Sequence, residues 1–190
     1  MLATILLLVL MAVVTWTDTS RHKIYNWTTY PGILMAFGLS GLGDLLAWSG
    51  FVSSEQLQPL GWISLGQSLF GFLLCGGLML VCFIFFRIGA GDVKLMAMMG
   101  AWLGPVEGLE ALLWTFVLGG CAGAILLIWR VGAWRLLVRV FRQIVWSLRI
   151  FHWSPLTDEE HAQLNAPLFL APSALAAVII VRFGLMEWLM

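Results

Sequence analysis

Apolar stretches long enough to cross a lipid bilayer recur along this chain, and they limit it to very few architectures. A spanning helix needs about 20 apolar residues, with about 17–25 the usual range. By that measure there are six segments, at about Leu2–Thr17, Thr28–Trp48, Trp62–Phe86, Asp92–Leu103, Leu109–Trp129 and Ala166–Leu189. The fourth is short. Twelve helical residues rise only about 18 Å, against a hydrocarbon core of about 30 Å. Either that helix is recessed, or the loop before it dips inward.

Composition excludes a soluble fold. Of the 190 residues, 61% are hydrophobic and 11% charged, where soluble domains carry about 25% charged residues. A chain this short could not hide so much apolar surface in its own core, so lipid must cover much of it. The formal net charge is zero, and nothing points to nucleic acid. Cys75, Cys82 and Cys121 lie in apolar stretches without metal-type spacing, and an odd count argues against a disulfide framework. The apolar run Met1–Val14 has no Lys or Arg before it and no small-x-small site after it. It therefore reads as an uncleaved first membrane helix rather than a signal peptide.

Basic residues set the orientation. Arg21, Lys23, Arg87, Arg130, Arg135, Arg139, Arg142 and Arg149 follow segments one, three and five, while loops 49–61 and 104–108 hold no Lys or Arg. Six passes put these residues on one face, which the positive-inside rule makes cytoplasmic. Trp16, Trp27, Trp48, Trp62, Trp129 and Trp188 fall at the expected span ends, as in an aromatic belt. Arg135, Arg139, Arg142 and Arg149 lie on one helical stripe of residues 131–152. The pattern predicts an amphipathic helix on the cytoplasmic surface, serving as a topology anchor or as a contact for anionic lipid or a partner. The expected fold is thus an all-α integral membrane protein of about six transmembrane helices plus that surface helix. Residues 1–190 form a single domain, with a polar insert at about 131–165.

Ionisable groups inside a bilayer cost at least about 2.5–3.5 kcal/mol and usually face a partner or a water-filled cavity. Parity sorts the candidates. Asp18 ends an outward-to-inward segment and Asp92 starts another at the cytoplasmic face, so the two can meet. Asp44 lies near the outer face, although Gly-x-Gly-Asp occurs both at Gly41–Asp44 and at Gly89–Asp92. Two adjacent carboxylates cannot both ionise easily and so share a proton. Helix dipoles predict that Asp18, closing a helix, carries it, and that Asp92, opening one, is the anion. Such a pair can activate water and polarise a carbonyl. Gly89 and Gly91 would allow unusual backbone angles and close approach of a substrate strand. Arg182 either snorkels or pairs with an acid.

The run Gly89-Ala-Gly-Asp-Val-Lys-Leu-Met-Ala-Met-Met-Gly-Ala-Trp-Leu-Gly104 closely resembles the second catalytic motif of prepilin peptidases. These are membrane aspartic endopeptidases of bacterial type IV pilus and type II secretion systems. Asp18-Thr-Ser-Arg-His-Lys-Ile-Tyr-Asn26 resembles their first motif, with Tyr25 where proline is usual, and Pro167–Pro172 is similar to the start of their last helix. The likeness extends over about residues 10–175. It implies that Asp18 and Asp92 are the catalytic pair, with no cofactor and no metal. The implied substrate is a prepilin or pseudopilin whose basic leader is cut after a glycine at the cytoplasmic face of the inner membrane. Lys94 would then steady Asp92 or snorkel. Asn26 would hydrogen-bond the Asp18 turn or, more simply, cap the second helix. The paired Cys-x-x-Cys motifs of larger members are missing from the sequence, so their N-methylation of the product is not expected. The compact form is similar to peptidases of tight-adherence pili.

Two other readings use the same residues: a proton-coupled transporter with an aspartate relay, and a non-catalytic pilus or secretion assembly protein. A transporter commonly shows an inverted repeat and midplane sites. No repeat is visible, and the carboxylates fall near one face.

Overall fold

The computed structural model describes residues 2–21, 24–50, 61–86, 89–131 and 170–185. These form five helices and no strand: α1 (Leu2–Arg21), α2 (Asn26–Trp48), α3 (Leu65–Phe86), α4 (Ala90–Val131) and α5 (Leu170–Arg182). The first four are long and apolar enough to cross a membrane. The surface helix expected over residues 131–152 lies almost wholly outside the described residues. The chain divides into two compact units, Met1–Val117 with Phe169–Met190, and Leu118–Leu168. Of the second unit, residues 118–131 are described, and all are helical.

α4 contains two segments. At 1.5 Å per residue its 42 residues would extend about 63 Å if straight, twice the hydrocarbon thickness. It breaks at Gly104, whose φ of 79° and ψ of −175° suit glycine alone. Pro105 follows and starts the next segment without needing an N–H donor. The chain turns back there: a Cβ on Gly108 would lie 3.1 Å from the Gly100 Cα, although eight residues of straight helix span about 12 Å. The expected loop over 104–108 is therefore a single-residue break, because glycine followed by proline reverses the chain without further linker.

The first arm of α4 explains its own shortness. Residues 95–104 are all buried, so protein rather than lipid surrounds this arm, and it need not match the bilayer. Leu7, Met11 and Val14 of α1, Ile33 and Ala36 of α2, Cys75 and Met79 of α3, and Ala174 and Val178 of α5 share its core cluster. Lipid is as apolar as leucine, so such helices associate by close packing and interhelical hydrogen bonds. Small residues provide the close packing where α3 meets α4: a Cβ on Gly71 would strike the Gly100 carbonyl oxygen and lie 2.6 Å from the Gly104 carbonyl carbon.

Hydrogen bonds then repair the break. The Ala101 carbonyl would normally accept from residue 105, which is proline and has no N–H. Ser68 Oγ donates to it instead at 2.6 Å. Arg182 donates to the Trp102 carbonyl at 3.4 Å and pairs with Glu107 at 3.2 Å. Arg182 thus pairs with an acid. Trp102 Nε1 donates to the Gly32 carbonyl at 2.9 Å, tying α4 to α2.

Exposed faces are apolar, as lipid contact requires. Ile5, Val9, Leu34, Leu73, Ile84 and Phe85 all point outward. Trp16, Trp27 and Trp48 are exposed near helix ends, as a belt would place them. Trp62 departs from that pattern: it donates to the Ser40 carbonyl at 3.3 Å and occupies the space a Cβ on Gly43 would need.

Candidate active site

On α1 the buried residues are Thr4, Leu7, Met11, Val14 and Asp18. Their spacing of three and four residues marks one helical stripe, so the geometry that buries Leu7 and Met11 also turns Asp18 inward. α1 continues to Arg21 rather than stopping near Thr17, because a helix outlasts its apolar run where its exposed residues, Thr19, Ser20 and Arg21, are polar. Asp18 therefore belongs to the last helical turn.

Asp92 sits in the first turn of α4, where its N–H donates to the Gly89 carbonyl at 3.0 Å. Asp18, Ile24, Tyr25, Asn26, Gly89, Gly91 and Asp92 line one cavity of about 400 Å³. Its two carboxylates lie within range of each other's charge. Two larger apolar stretches of sequence separate them, and the fold brings them to the same end of the helices. Among the described residues no group of three or more His, Cys, Asp or Glu side chains converges as a metal site would.

Both motif glycines act through close approach. Neither has a positive φ, so the expected freedom of backbone angle is not what these positions use. A Cβ on Gly91 would lie 2.9 Å from the Ile24 Cβ, and one on Gly89 would lie 3.1 Å from Asp92 Oδ2. Gly91 thus admits the Ile24 side chain over the start of α4, and Gly89 leaves room beside the Asp92 carboxylate.

Tyr25 is the residue before α2, with φ −83° and ψ 135°. That backbone falls close to what proline imposes. Its carbonyl accepts from the N–H of Thr28 at 3.2 Å and of Thr29 at 3.4 Å, and from Thr28 Oγ1 at 3.0 Å. The entry into α2 is therefore held without proline. Its hydroxyl accepts from Arg21 at 3.4 Å.

Asn26 does not cap α2. It is the first helical residue, and no side chain caps this helix. Lys94 Nζ donates to Asn26 Oδ1 at 2.8 Å and lies 5.2 Å from the centre of the Tyr30 ring. The ammonium thus engages an amide and an aromatic face, the latter a cation–π contact, and no bond from it to Asp92 is present. The pairing spans two distant segments, and no local pattern in the sequence signals it.

Asp44 lines no part of this cavity. Its Oδ2 accepts from the Leu65 N–H at 2.8 Å, satisfying one of the free donors at the start of α3. Its role is a helix cap supplied from a neighbouring helix.

A model of the Peptidase_A24 family, the type IV leader peptidase family, matches residues 5–128 and so includes both Asp18 and Asp92. Pro167–Pro172 lies beyond the match. No curated protein and no solved structure matches the chain.

Proposed function

The chain belongs to the type IV leader peptidase family, and on that premise we propose that it is an aspartic endopeptidase that removes the basic leader of prepilin-like proteins. It is a membrane peptidase by family and by its long apolar helices. The finer reading is that Asp18 and Asp92 form the catalytic pair. The observation that carries it is their shared cavity at the ends of α1 and α4.

In this reading one carboxyl of the pair holds a proton and the other is ionised. The ionised member takes a proton from water as the water oxygen bonds to the scissile carbonyl carbon. The neutral member gives its proton to the carbonyl oxygen. When the tetrahedral intermediate collapses, the C–N bond breaks. The amine leaves with the proton that the first carboxylate took from water, while a hydroxyl of the intermediate returns its proton to the second carboxylate as the carbonyl re-forms, so the pair regains its starting state. Water supplies every atom added.

The substrate's apolar helix would lie in the bilayer and its leader in the cytoplasm. Six passes with the basic loops inside, as the charge bias supports, put the pair at that depth in the inner membrane. Cleavage after glycine suits a cavity bordered by the backbones of Gly89 and Gly91.

The test is co-expression with a protein carrying a basic leader, a glycine and an apolar helix, followed by mass spectrometry of the product's N-terminus. A single cut directly after the glycine is expected. A cut elsewhere, or none, would contradict the reading.

A further inference from the structure

We infer that Asn26 is a further catalytic residue, donating a hydrogen bond from Nδ2 to the scissile carbonyl oxygen as it gains charge, and that Lys94 is the positioning residue that sets its orientation. The inference rests on the peptidase reading above.

An ammonium group has three donors and no acceptor. At 2.8 Å from Lys94 Nζ, the Asn26 amide must turn its oxygen toward the lysine. The opposite orientation would set two donors against each other. The –NH2 end of the amide consequently faces away from Lys94. Asn26 itself borders the cavity that holds Asp18 and Asp92. Of the other lining residues, Ile24, Gly89 and Gly91 have no polar side-chain atom, and Tyr25, whose hydroxyl accepts from Arg21, offers a phenol rather than an amide. Asn26 therefore supplies the cavity's neutral amide donor, and Nδ2 makes no hydrogen bond to another described residue.

Two further features hold the amide in place. Lys94 is anchored over Tyr30, one helical turn along α2 from Asn26. Asn26 also starts α2, directly after Tyr25, whose carbonyl accepts from Thr28 and Thr29. A positive charge on the amide oxygen draws electron density from the –NH2 group and strengthens it as a donor. A donor fixed before the reaction, aimed where charge develops, lowers the barrier without reorganisation.

The experiment uses the purified full chain in lipid with a leader–glycine–apolar helix substrate, and compares Asn26→Ala, Lys94→Met, Lys94→Arg and the Asn26→Ala/Lys94→Met double variant. Asn26→Ala is expected to lower kcat by about 10²–10³-fold, the range for losing one such donor, with KM unchanged. Lys94→Met should cost no more than about tenfold, because the freed amide still presents its donor in one of two orientations. Lys94→Arg should recover most of that loss. On the Asn26→Ala background, Lys94→Met should have no further effect. Near-normal kcat in Asn26→Ala overturns the inference. So do equal losses in Asn26→Ala and Lys94→Met accompanied by a lowered unfolding midpoint, which would mark a mere tie between α2 and α4. Asp92→Asn serves as reference: if it is inactive while Asn26→Ala is normal, only the present inference falls. If Asp92→Asn cleaves normally, the peptidase pair falls with it.

Discussion

Asp18, in the last turn of α1, and Asp92, in the first turn of α4, border the same cavity from opposite helix ends. Each is held by something other than the partner carboxylate. Asp18 rides on the buried stripe of α1, and Asp92 opens a helix that is buried throughout residues 95–104. The central arm of α4 is thus the element on which the site depends, and the first three predictions concern what fixes it and the turn beside it.

The α3–α4 contact should tolerate no added carbon at Gly71. Gly71→Ala would drive a methyl into the Gly100 carbonyl, and overpacking of this kind typically costs about 1–3 kcal/mol. Gly77, on the same helix, has nothing within 4 Å of its Cβ position. Thermal unfolding in detergent should show a lowered midpoint for Gly71→Ala and an unchanged one for Gly77→Ala.

Arg182 should matter more to folding than to chemistry. Its side chain is 14% exposed and that of Glu107 is 45%, so the pair is partly screened. Arg182→Met would strand the Trp102 carbonyl and leave Glu107 unpaired, at a cost of about 1–3 kcal/mol. Glu107→Gln, which keeps an acceptor, should cost less. Unfolding midpoints would rank the two variants, and activity per folded molecule should be retained in both.

Proline should be accepted at position 25. Tyr25 already holds a proline-compatible φ of −83°, and its N–H makes no backbone hydrogen bond within the described turns. Tyr25→Pro forfeits only the exposed 3.4 Å bond from Arg21, and fixing φ in the unfolded chain is worth about 0.4–1 kcal/mol. Equal or greater stability is expected, read from the same unfolding assay.

Helix existence could be read from the sequence, because long apolar runs report on lipid contact. Asp18 also continues the three-and-four spacing of Leu7, Met11 and Val14, which points inward without any structure. Segment ends were less visible. Apolar windows detect lipid exposure rather than backbone hydrogen bonding, so α1 outruns its window by a turn. The enclosure of residues 95–104 was hidden for the opposite reason, since a protein-covered arm is as apolar as a lipid-covered one. The Lys94–Asn26 bond depends on how α2 packs against α4, which local pattern does not encode. The Arg182–Glu107 pair was within reach. The six-pass reading that separated Asp44 from Asp18 assigns both residues to the outer side.

Asp44 should be dispensable for chemistry. Asparagine can accept from the Leu65 N–H as aspartate does, and both are good helix caps. Asp44→Asn should therefore keep stability and cleavage. Asp44→Leu should lose about 1 kcal/mol of stability and keep cleavage per folded molecule.

The central claim is tested most directly by measuring leader release from a co-expressed prepilin-like substrate in Asp18→Asn and Asp92→Asn, alongside Asp44→Asn. Each single amide should abolish cleavage while the protein still inserts at the normal level, because the proposed mechanism needs one proton shared between two carboxylates. Asp44→Asn should cleave normally. Normal cleavage by either Asp18→Asn or Asp92→Asn would contradict the account.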